Sequence, residues 1–541
     1  MKDSARKLVF LLGGVIPLLL LPFIKGGMTG SISGEIVYQK KMKAPLYLYI
    51  FAGKEKSKRP PDIWEEKPVR KIRLSGRPFR VKGLSPGRYY LFSFLDENGN
   101  GKVDYQNYEP TGWYSADSGG LDPLVVKKGV DISGINIPLK APTPMGAPRK
   151  TKGGELALVK GRYILKLYGS SYQRGYAHGF LLASQIRDMI EFFNLEFGAR
   201  SRRRYEKEVL PFVKKNFSYD KSYLEEVRGM LDGMRASGKS LFIPSLNRDV
   251  TMDDILALNA YGEWLSLSCS SVSAWGKMTE NKELKGGLII GRDMDGENDL
   301  RKTTVLDVLI FAVAPEKGFR YVSVMWSGFI GTYSAMNERG VAAFTHKSNT
   351  NSSWKAKGLT PKGLIVREIM MKVDEKDTVA KIRRVIDSHR VKTGGAMGVG
   401  NNLHIVSPYH CQRYPAAIME DDYYGGATRY PGEFYPKNPY LVLCCNTFIK
   451  YGVSSPEPGL RGRRYSALAK ELTRLIERGE TIDTREMVKL LSISGNKRTE
   501  HAIIFRANEG SFDLAVEDLV KGIREAPLCS WTRFKLLDLF P

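Results

Sequence analysis

The chain has 541 residues, 42% hydrophobic and 26% charged, with a formal net charge of +25 from 83 Lys and Arg against 58 Asp and Glu. This length exceeds one compact core and sets an expectation of about two to four domains, in a composition that excludes a disordered or fibrous chain. The cationic surplus suits an anionic lipid or surface, but it is spread along the chain and no helix-turn-helix or zinc pattern accompanies it, so no nucleic-acid partner is expected.

Lys2, Arg6 and Lys7 precede an apolar run over 8–24. A basic segment followed by an apolar one has the layout of an export signal. The run holds Gly13, Gly14, Pro17 and Pro22, and no small-x-small cleavage site follows it, so a retained anchor is the alternative. Residues 1–28 are therefore expected to send the protein to a periplasmic, extracellular or membrane-anchored location.

Residues 29–140 read as an all-β module. Strand-like runs at 31–38, 45–51, 78–81, 88–94 and 132–139 are separated by turn residues such as Ser85-Pro86-Gly87, a pattern that predicts a sandwich. Within it, Asp96, Asn98, Asn100 and Asp104 occupy positions 1, 3, 5 and 9 of a calcium-type loop with Gly101 at position 6. Asn107 stands where a bidentate Glu belongs, and the other reading is a hairpin loop of Asx turns. The Pro- and Gly-rich segment 141–155 reads as a linker.

Residues 156–268 read as mainly helical. Apolar positions 181, 182, 186, 189, 190 and 193 follow helical spacing, and further helices are predicted over 205–214, 223–236 and 252–264. His178 has no partner at metal spacing and reads as a packing residue. The glycine-rich 394–402 lacks the Lys-Ser/Thr of a phosphate-binding loop and reads as a plain loop.

At residue 268 the pattern switches to strands, and the core of the chemistry is expected in 269–541. Of five cysteines (Cys269, Cys411, Cys444, Cys445 and Cys529) no spacing suggests a disulfide framework or a zinc site, and no cofactor is implied. Cys269 begins a strand-like stretch to 276, and a polar turn leads to a second strand containing Gly291-Arg292-Asp293-Met294-Asp295. A hairpin turning near 282–283 places Cys269 opposite residues near Asp295, with Arg292 close by. Arg292 and Asp295 would face opposite ways in an ideal strand, so a bulge or strand end must adjust one of them. If the Ser268–Cys269 bond is cut, Cys269 acquires an α-amine that titrates near 8 and can serve as its base.

These residues resemble the N-terminal-nucleophile cysteine hydrolases that include penicillin acyl-coenzyme A acyltransferase (peptidase C45-like) and choloylglycine hydrolase. The Gly291–Asp295 motif matches their Gly-Arg-Asn-x-Asp, with Asp293 in place of Asn. Met336-Asn337-Glu338-Arg339-Gly340, Asn446 after a strand, and Gly462-Arg463-Arg464-Tyr465 follow in the family's order. Upstream, the glycines of 169–179 and 223–233 look like the acyltransferase branch, and 84–112 resembles prealbumin-like sandwiches, which accompany exported enzymes without doing chemistry. The resemblance implies an α+β chain: an αββα N-terminal-nucleophile hydrolase sandwich behind a separate β-sandwich domain. It implies Cys269 as nucleophile, self-cleavage between Ser268 and Cys269, Asp295 holding the amine, Arg292 the thiolate, Asn446 the oxyanion, and Arg464 in support. Asn349 and Asn351 both lie near the place of a second oxyanion Asn. The implied activity is hydrolysis or acyl transfer on a linear N-acyl amide, the substrate a small acyl-amide, with the two cleaved chains staying associated. A phospholipase B-like lipid hydrolase and a catalytically silent surface-binding protein are the alternatives.

Overall fold

The computed structural model describes residues 29–540 apart from 55–59, 118, 265–267, 297–298, 352–356, 393, 412, 453–461 and 521–523, and apart from the side chains of 264 and 349–351. The candidate export segment 1–28, and the side chains of Asn349 and Asn351, lie outside the described residues. No helix among the described residues is long and apolar enough to cross a membrane.

Two large sheets form the body. One has ten strands, in the order Gly426–Arg429, Ala416–Asp421, Val399–Val406, Ala342–Asn351, Ser334–Asn337, Tyr321–Met325, Leu309–Pro315, Arg162–Gly169, Gly154–Val159 and Arg149–Thr151. The other has six antiparallel strands, in the order Leu441–Cys444, Ser268–Ala274, Ile289–Asp295, Thr499–Arg506, Ser511–Val516 and Thr532–Lys535. Their facing sides share one apolar cluster that includes Ile310, Val324 and Phe344 from the first and Ile290, Phe505 and Phe512 from the second. Helices Ser171–Ile190, Lys221–Ala236 and Lys362–Lys372 cover the outer face of the ten-stranded sheet. Helices Arg463–Glu477 and Thr484–Ser494 cover the outer face of the six-stranded one. The layering is therefore helix, sheet, sheet, helix, as apolar faces on both sides of each sheet require.

The segment 141–155 is ordered, not a free linker. Met145 is buried, Thr143 N–H donates to Asp188 Oδ2 at 2.8 Å, and Arg149 Nε donates to the Leu181 carbonyl at 3.1 Å. Nor does the body begin with helices: Gly154–Val159 and Arg162–Gly169 form a hairpin inside the ten-stranded sheet. Its two-residue turn has φ of 50° at Lys160 and 76° at Gly161, the positive angles that a tight hairpin turn requires.

The glycines read upstream are explained by close helix contact. A Cβ at Gly175 or Gly179 would stand 1.9 Å from the carbonyl oxygen of Glu226 or Met230, and one at Gly233 would stand 2.1 Å from that of Tyr176. Helices Ser171–Ile190 and Lys221–Ala236 thus meet backbone to backbone. Beside them, buried Glu226 pairs with Arg174 at 3.0 Å and with Arg367 at 2.6 Å. His178 is a packing residue: it is buried, its Nε2 accepts from Gly328 N–H at 3.0 Å, and burial pushes its ring down to about 4.

Residues 30–138 form a three-stranded and a five-stranded sheet around a common apolar cluster. Strands Arg70–Leu74, Thr111–Trp113 and Leu124–Val126 join those expected from the sequence. The other face of the five-stranded sheet packs Phe92, Phe94, Trp113 and Leu121 together with Leu300 of the body. Arg301 lies 4.0 Å over Trp113 and Lys302 4.3 Å over Trp64. In the Asp96 loop, Asp96 Oδ1 accepts from Gly99 and Asn100 N–H, and Oδ2 from Gly101 N–H. Asn98 and Asn100 amides both donate to Asp104 Oδ2. These bonds describe a closed set of Asx turns, and no group of three or more His, Cys, Asp or Glu side chains placed to hold a metal occurs among the described residues.

Glu226→Ala leaves two buried guanidinium groups without their carboxylate. Chemical denaturation should show a loss of about 3–5 kcal/mol, whereas a loss under about 1 kcal/mol would mean that the ion triad is not structural.

Candidate active site

Cys269 is the second residue of strand Ser268–Ala274, and its antiparallel partner is Met294, with Ser268 opposite Asp295 and Ser271 opposite Arg292. The partner is thus next to Asp295, as expected, and the register is two residues from a turn centred at 282–283. Strand alternation then puts Cys269, Met294 and Arg292 on the face between the two sheets. Asp295 stands at the strand end, where the pairing with Thr499–Arg506 shifts register between Met294 and Asp295. Gly291 is required by packing: a Cβ there would meet Met487 Sδ of the covering helix at 2.6 Å.

Arg292 spans the gap between the sheets. Its Nη2 donates to Cys269 Sγ at 3.0 Å and to the Thr345 carbonyl at 2.8 Å; its Nη1 donates to the Tyr333 carbonyl at 2.6 Å and to Ser334 Oγ. All these acceptors are neutral, so the thiol is the one ionisable group the guanidinium touches. Cys269 is 1% exposed. Burial pushes its thiol up, and the Arg292 charge and hydrogen bond oppose that shift.

A second set of contacts holds the Cys269 nitrogen. Its N–H donates to Asn446 Oδ1 at 3.1 Å, and Arg464 Nη2 donates to the same oxygen at 2.5 Å. Arg464 Nη1 forms an ion pair with Asp295, whose other oxygen accepts from Thr499 Oγ1 at 2.7 Å. Two donors converge on one Asn446 atom, which fixes that atom as oxygen. Asn446 Nδ2 donates to the Lys347 carbonyl at 2.9 Å. Asn446 therefore grips the nitrogen of Cys269 here, and its donor group is engaged elsewhere than at an oxyanion. Asp295 acts on Cys269 through Arg464 and Asn446 rather than by direct contact.

Cys269, Arg292, Asp295, Asn446 and Arg464 thus converge from one hairpin, the end of a neighbouring strand and the start of a helix. Asn402 and Lys362 complete the site without having been legible as site residues. Asn402 Nδ2 donates to the carbonyls of Cys445 at 2.7 Å and Thr447 at 3.1 Å, clamping the residues on both sides of Asn446. The segment read as a plain loop therefore runs into strand Val399–Val406, which supports the site. Lys362, buried at the start of its helix, lines a cavity of about 20 Å³ with Cys269, Arg292 and Lys347. Burial pushes its ammonium down, against the pull of Glu263. Its Nζ has no hydrogen-bond or ion-pair partner among the described residues.

His346 and His404 lie near the cysteine without touching its sulfur. Ser271 Oγ stands 2.8 Å from His346 Nε2 and 2.7 Å from His404 Nδ1, and burial pushes both rings well down. They bind the two sheets as neutral rings. Cys444 and Cys445 are buried, and all five cysteines are free.

Asp293, the departure from the family motif, accepts from Ser494 Oγ at 2.6 Å and Ser270 Oγ at 3.2 Å. Burial, and then the neighbouring Asp295, push its carboxyl well above the usual range. A carboxyl held neutral has the shape and polarity of the Asn it replaces.

No family model matches the chain. It is similar to an uncharacterized protein of Archaeoglobus fulgidus, 29% identical over 213 residues, covering 34% of this chain and 32% of that protein. It is also similar to protein dcd1B of Dictyostelium discoideum, 26% identical over 258 residues, with 44% of this chain and 48% of that one covered. Protein dcd1A of the same organism is 26% identical over 271 residues, covering 44% and 56%. The chain thus spans 32% to 56% of the length of these curated relatives. Among solved structures, a Caenorhabditis elegans N-acylethanolamine-hydrolyzing acid amidase ortholog gives a TM-score of 0.32 at 11% identity, over 44% of this chain and 93% of that one. Penicillin V acylase from Agrobacterium tumefaciens gives 0.31 at 13%, over 50% and 88%. These are distant likenesses, and the chemistry of this chain rests on its own side chains.

The Asp293 carboxyl stays protonated in the folded chain but ionises above about pH 4 once unfolded. Its folded pKa is raised, so its contribution is full below that pH and declines as pH rises, by up to about 1.4 kcal/mol per unit. Asp293→Asn should therefore melt above the wild type at pH 7 and converge with it near pH 4. A variant less stable at both pH values would show that the carboxyl is ionised in the fold.

Proposed function

We propose that the chain is a self-processing cysteine hydrolase of the N-terminal-nucleophile type, cleaving linear N-acyl amides by hydrolysis or acyl transfer. The observation that carries this reading is the double hold on Cys269: Arg292 on its sulfur and Asn446 on its nitrogen. A cysteine that merely fills a core needs neither.

In self-processing, the Cys269 sulfur attacks the Ser268 carbonyl carbon. The C–N bond breaks as the nitrogen takes up a proton, which leaves Ser268 as a thioester on Cys269. Water hydrolyses the thioester to the Ser268 carboxylate and frees the thiol beside a new α-amine. Asn446 Oδ1 already faces that nitrogen, and Arg464 and Asp295 fix the Asn446 amide. The amine then takes the thiol proton in each turnover, the thiolate attacks the substrate acyl carbon, and the ammonium protonates the leaving amine. Water or a second amine resolves the acyl-enzyme.

The first cut needs a different base, because no α-amine exists yet. Lys362 fits that role. Its depressed ammonium shares with the Cys269 thiol a cavity large enough for about one water, through which a proton can pass. The cut leaves the fold interlocked, since strand Arg162–Gly169 from before the site pairs with Leu309–Pro315 from after it.

Cys269→Ala should abolish N-acyl amide hydrolysis and labelling by a thiol-reactive acyl probe. Lys362→Met should slow disappearance of the full-length chain at least tenfold, while each matured molecule turns over normally. Wild-type rates in Cys269→Ala would refute the function, and undiminished processing in Lys362→Met would remove Lys362 from the mechanism.

A further inference from the structure

Two cavities open at Ser268, the residue whose carbonyl is attacked in self-processing. One, of about 450 Å³, lies between the N-terminal sheets and the body. Trp113, Gly120 and Leu121 form its wall on the first side, and Phe192, Phe197 and Leu300 on the other. The second, of about 480 Å³, holds Asp295, Asn446 and three arginines: Arg463, Arg464 and Arg498. Ser268 and Arg498 line both, so the two chambers meet at the acyl carbon of the first cut.

The chambers differ in chemistry. The first sets the rings of Trp113, Phe192 and Phe197 with Leu121 and Leu300 beside Arg200, Arg498 and one carboxylate, Glu196, which Arg301 binds at 2.7 Å. In the second, Asp295 neutralises Arg464. Arg463 has no partner among the described residues, and Arg498 reaches only Asp62, at 3.5 Å. The second chamber therefore keeps a net positive charge beside the nitrogen side of the scissile bond.

The N-terminal sheets are held at this place by specific contacts. Gly119 and Gly120 sit against Arg200 so closely that a Cβ at Gly119 would stand 2.0 Å from the Arg200 carbonyl oxygen. Ser201 Oγ donates to Asp117, and Arg301 stacks on Trp113. Such contacts fix a wall; a tethered accessory module would need none of them.

We propose that the N-terminal sheets build half of the substrate site. The chamber behind Trp113 and Leu121 takes the apolar acyl chain, and the arginine chamber takes an anionic group on the leaving amine. This rests on the amide-hydrolase reading given above. An N-acyl amide bound in this way places its acyl carbon where Ser268 stood, its chain under the N-terminal sheets and its carboxylate beside Arg463 and Arg498.

N-dodecanoylglycine and N-acetylglycine serve as probes, together with Gly120→Leu and Arg498→Gln. A Gly120 Cβ meets only the mobile guanidinium of Arg200, at 2.5 Å, so the Leu side chain fills the chamber without touching Cys269 or its partners. Gly120→Leu should raise KM for N-dodecanoylglycine at least tenfold and leave kcat/KM for N-acetylglycine within twofold. Arg498→Gln should weaken both glycine conjugates and leave N-dodecanoylglycinamide unchanged. Phe197→Ala, from the opposite wall, should show the same chain-length dependence if Gly120→Leu does not fold. Calorimetric binding of dodecanoate, the acyl product, to the Cys269→Ala protein reads the acyl chamber, which is open in the uncut chain, without turnover. Binding that Gly120→Leu weakens tenfold supports the cleft even if the wild type hydrolyses neither probe, an outcome that would overturn the hydrolase reading alone. Equal effects on long and short chains, or no binding to Cys269→Ala, would overturn the cleft.

Discussion

Arg292 is buried between two sheets, and no carboxylate among the described residues stands against it. Its guanidinium donates to two carbonyls and a hydroxyl of the ten-stranded sheet and to the Cys269 sulfur of the six-stranded one. A buried cation among neutral acceptors is costly unless an anion appears beside it. On the proposed chemistry the thiolate that Cys269 forms supplies that anion. The same contact joins the sheets and touches the cysteine sulfur, so the place where the layers meet is also the place where the proposal puts developing charge. The neutral His346–Ser271–His404 chain binds the layers two residues further along the strand and leaves the charged position at the strand start.

Much of this was legible in the sequence because it is local. The switch from helical spacing to strands before Cys269, the polar turn and the Gly291–Asp295 motif place the two central strands and their key side chains. The facing problem between Arg292 and Asp295 was also visible, and the structure keeps them apart: Arg292 reaches the Cys269 sulfur, whereas Asp295 meets Arg464 and Thr499. The exact pairing was not: a turn centred at 282–283 would set residue 296 across from Cys269, and the structure sets Met294 there, two residues away. Asn402 and Lys362 were hidden for a different reason. Each lies more than 90 positions from Cys269 in the chain, and nothing in its own neighbourhood signals a role. Strands Gly154–Val159 and Arg162–Gly169 were missed beside the stronger helical periodicity, although Lys160-Gly161 carries a hairpin-turn signal.

The N-terminal sheets show how docking changes the meaning of a module. Their own core reads correctly as a β arrangement, since alternation and turns are local properties. The second face of the five-stranded sheet reads as ordinary aromatic residues until Leu300, Arg301 and Lys302 are set against it. Those three lie just beyond the Gly291–Asp295 motif in the chain, and they form the surface on which the sheets rest.

The central claim is that one backbone nitrogen, held by Asn446, changes from amide to amine. The mass spectrum of the purified, denatured protein tests it most directly. The account requires a fragment that begins at Cys269 with a free α-amine and ends at the chain's C-terminus, in proportion to amide-hydrolysing activity. A fully active protein whose mass shows the Ser268–Cys269 bond intact would contradict it.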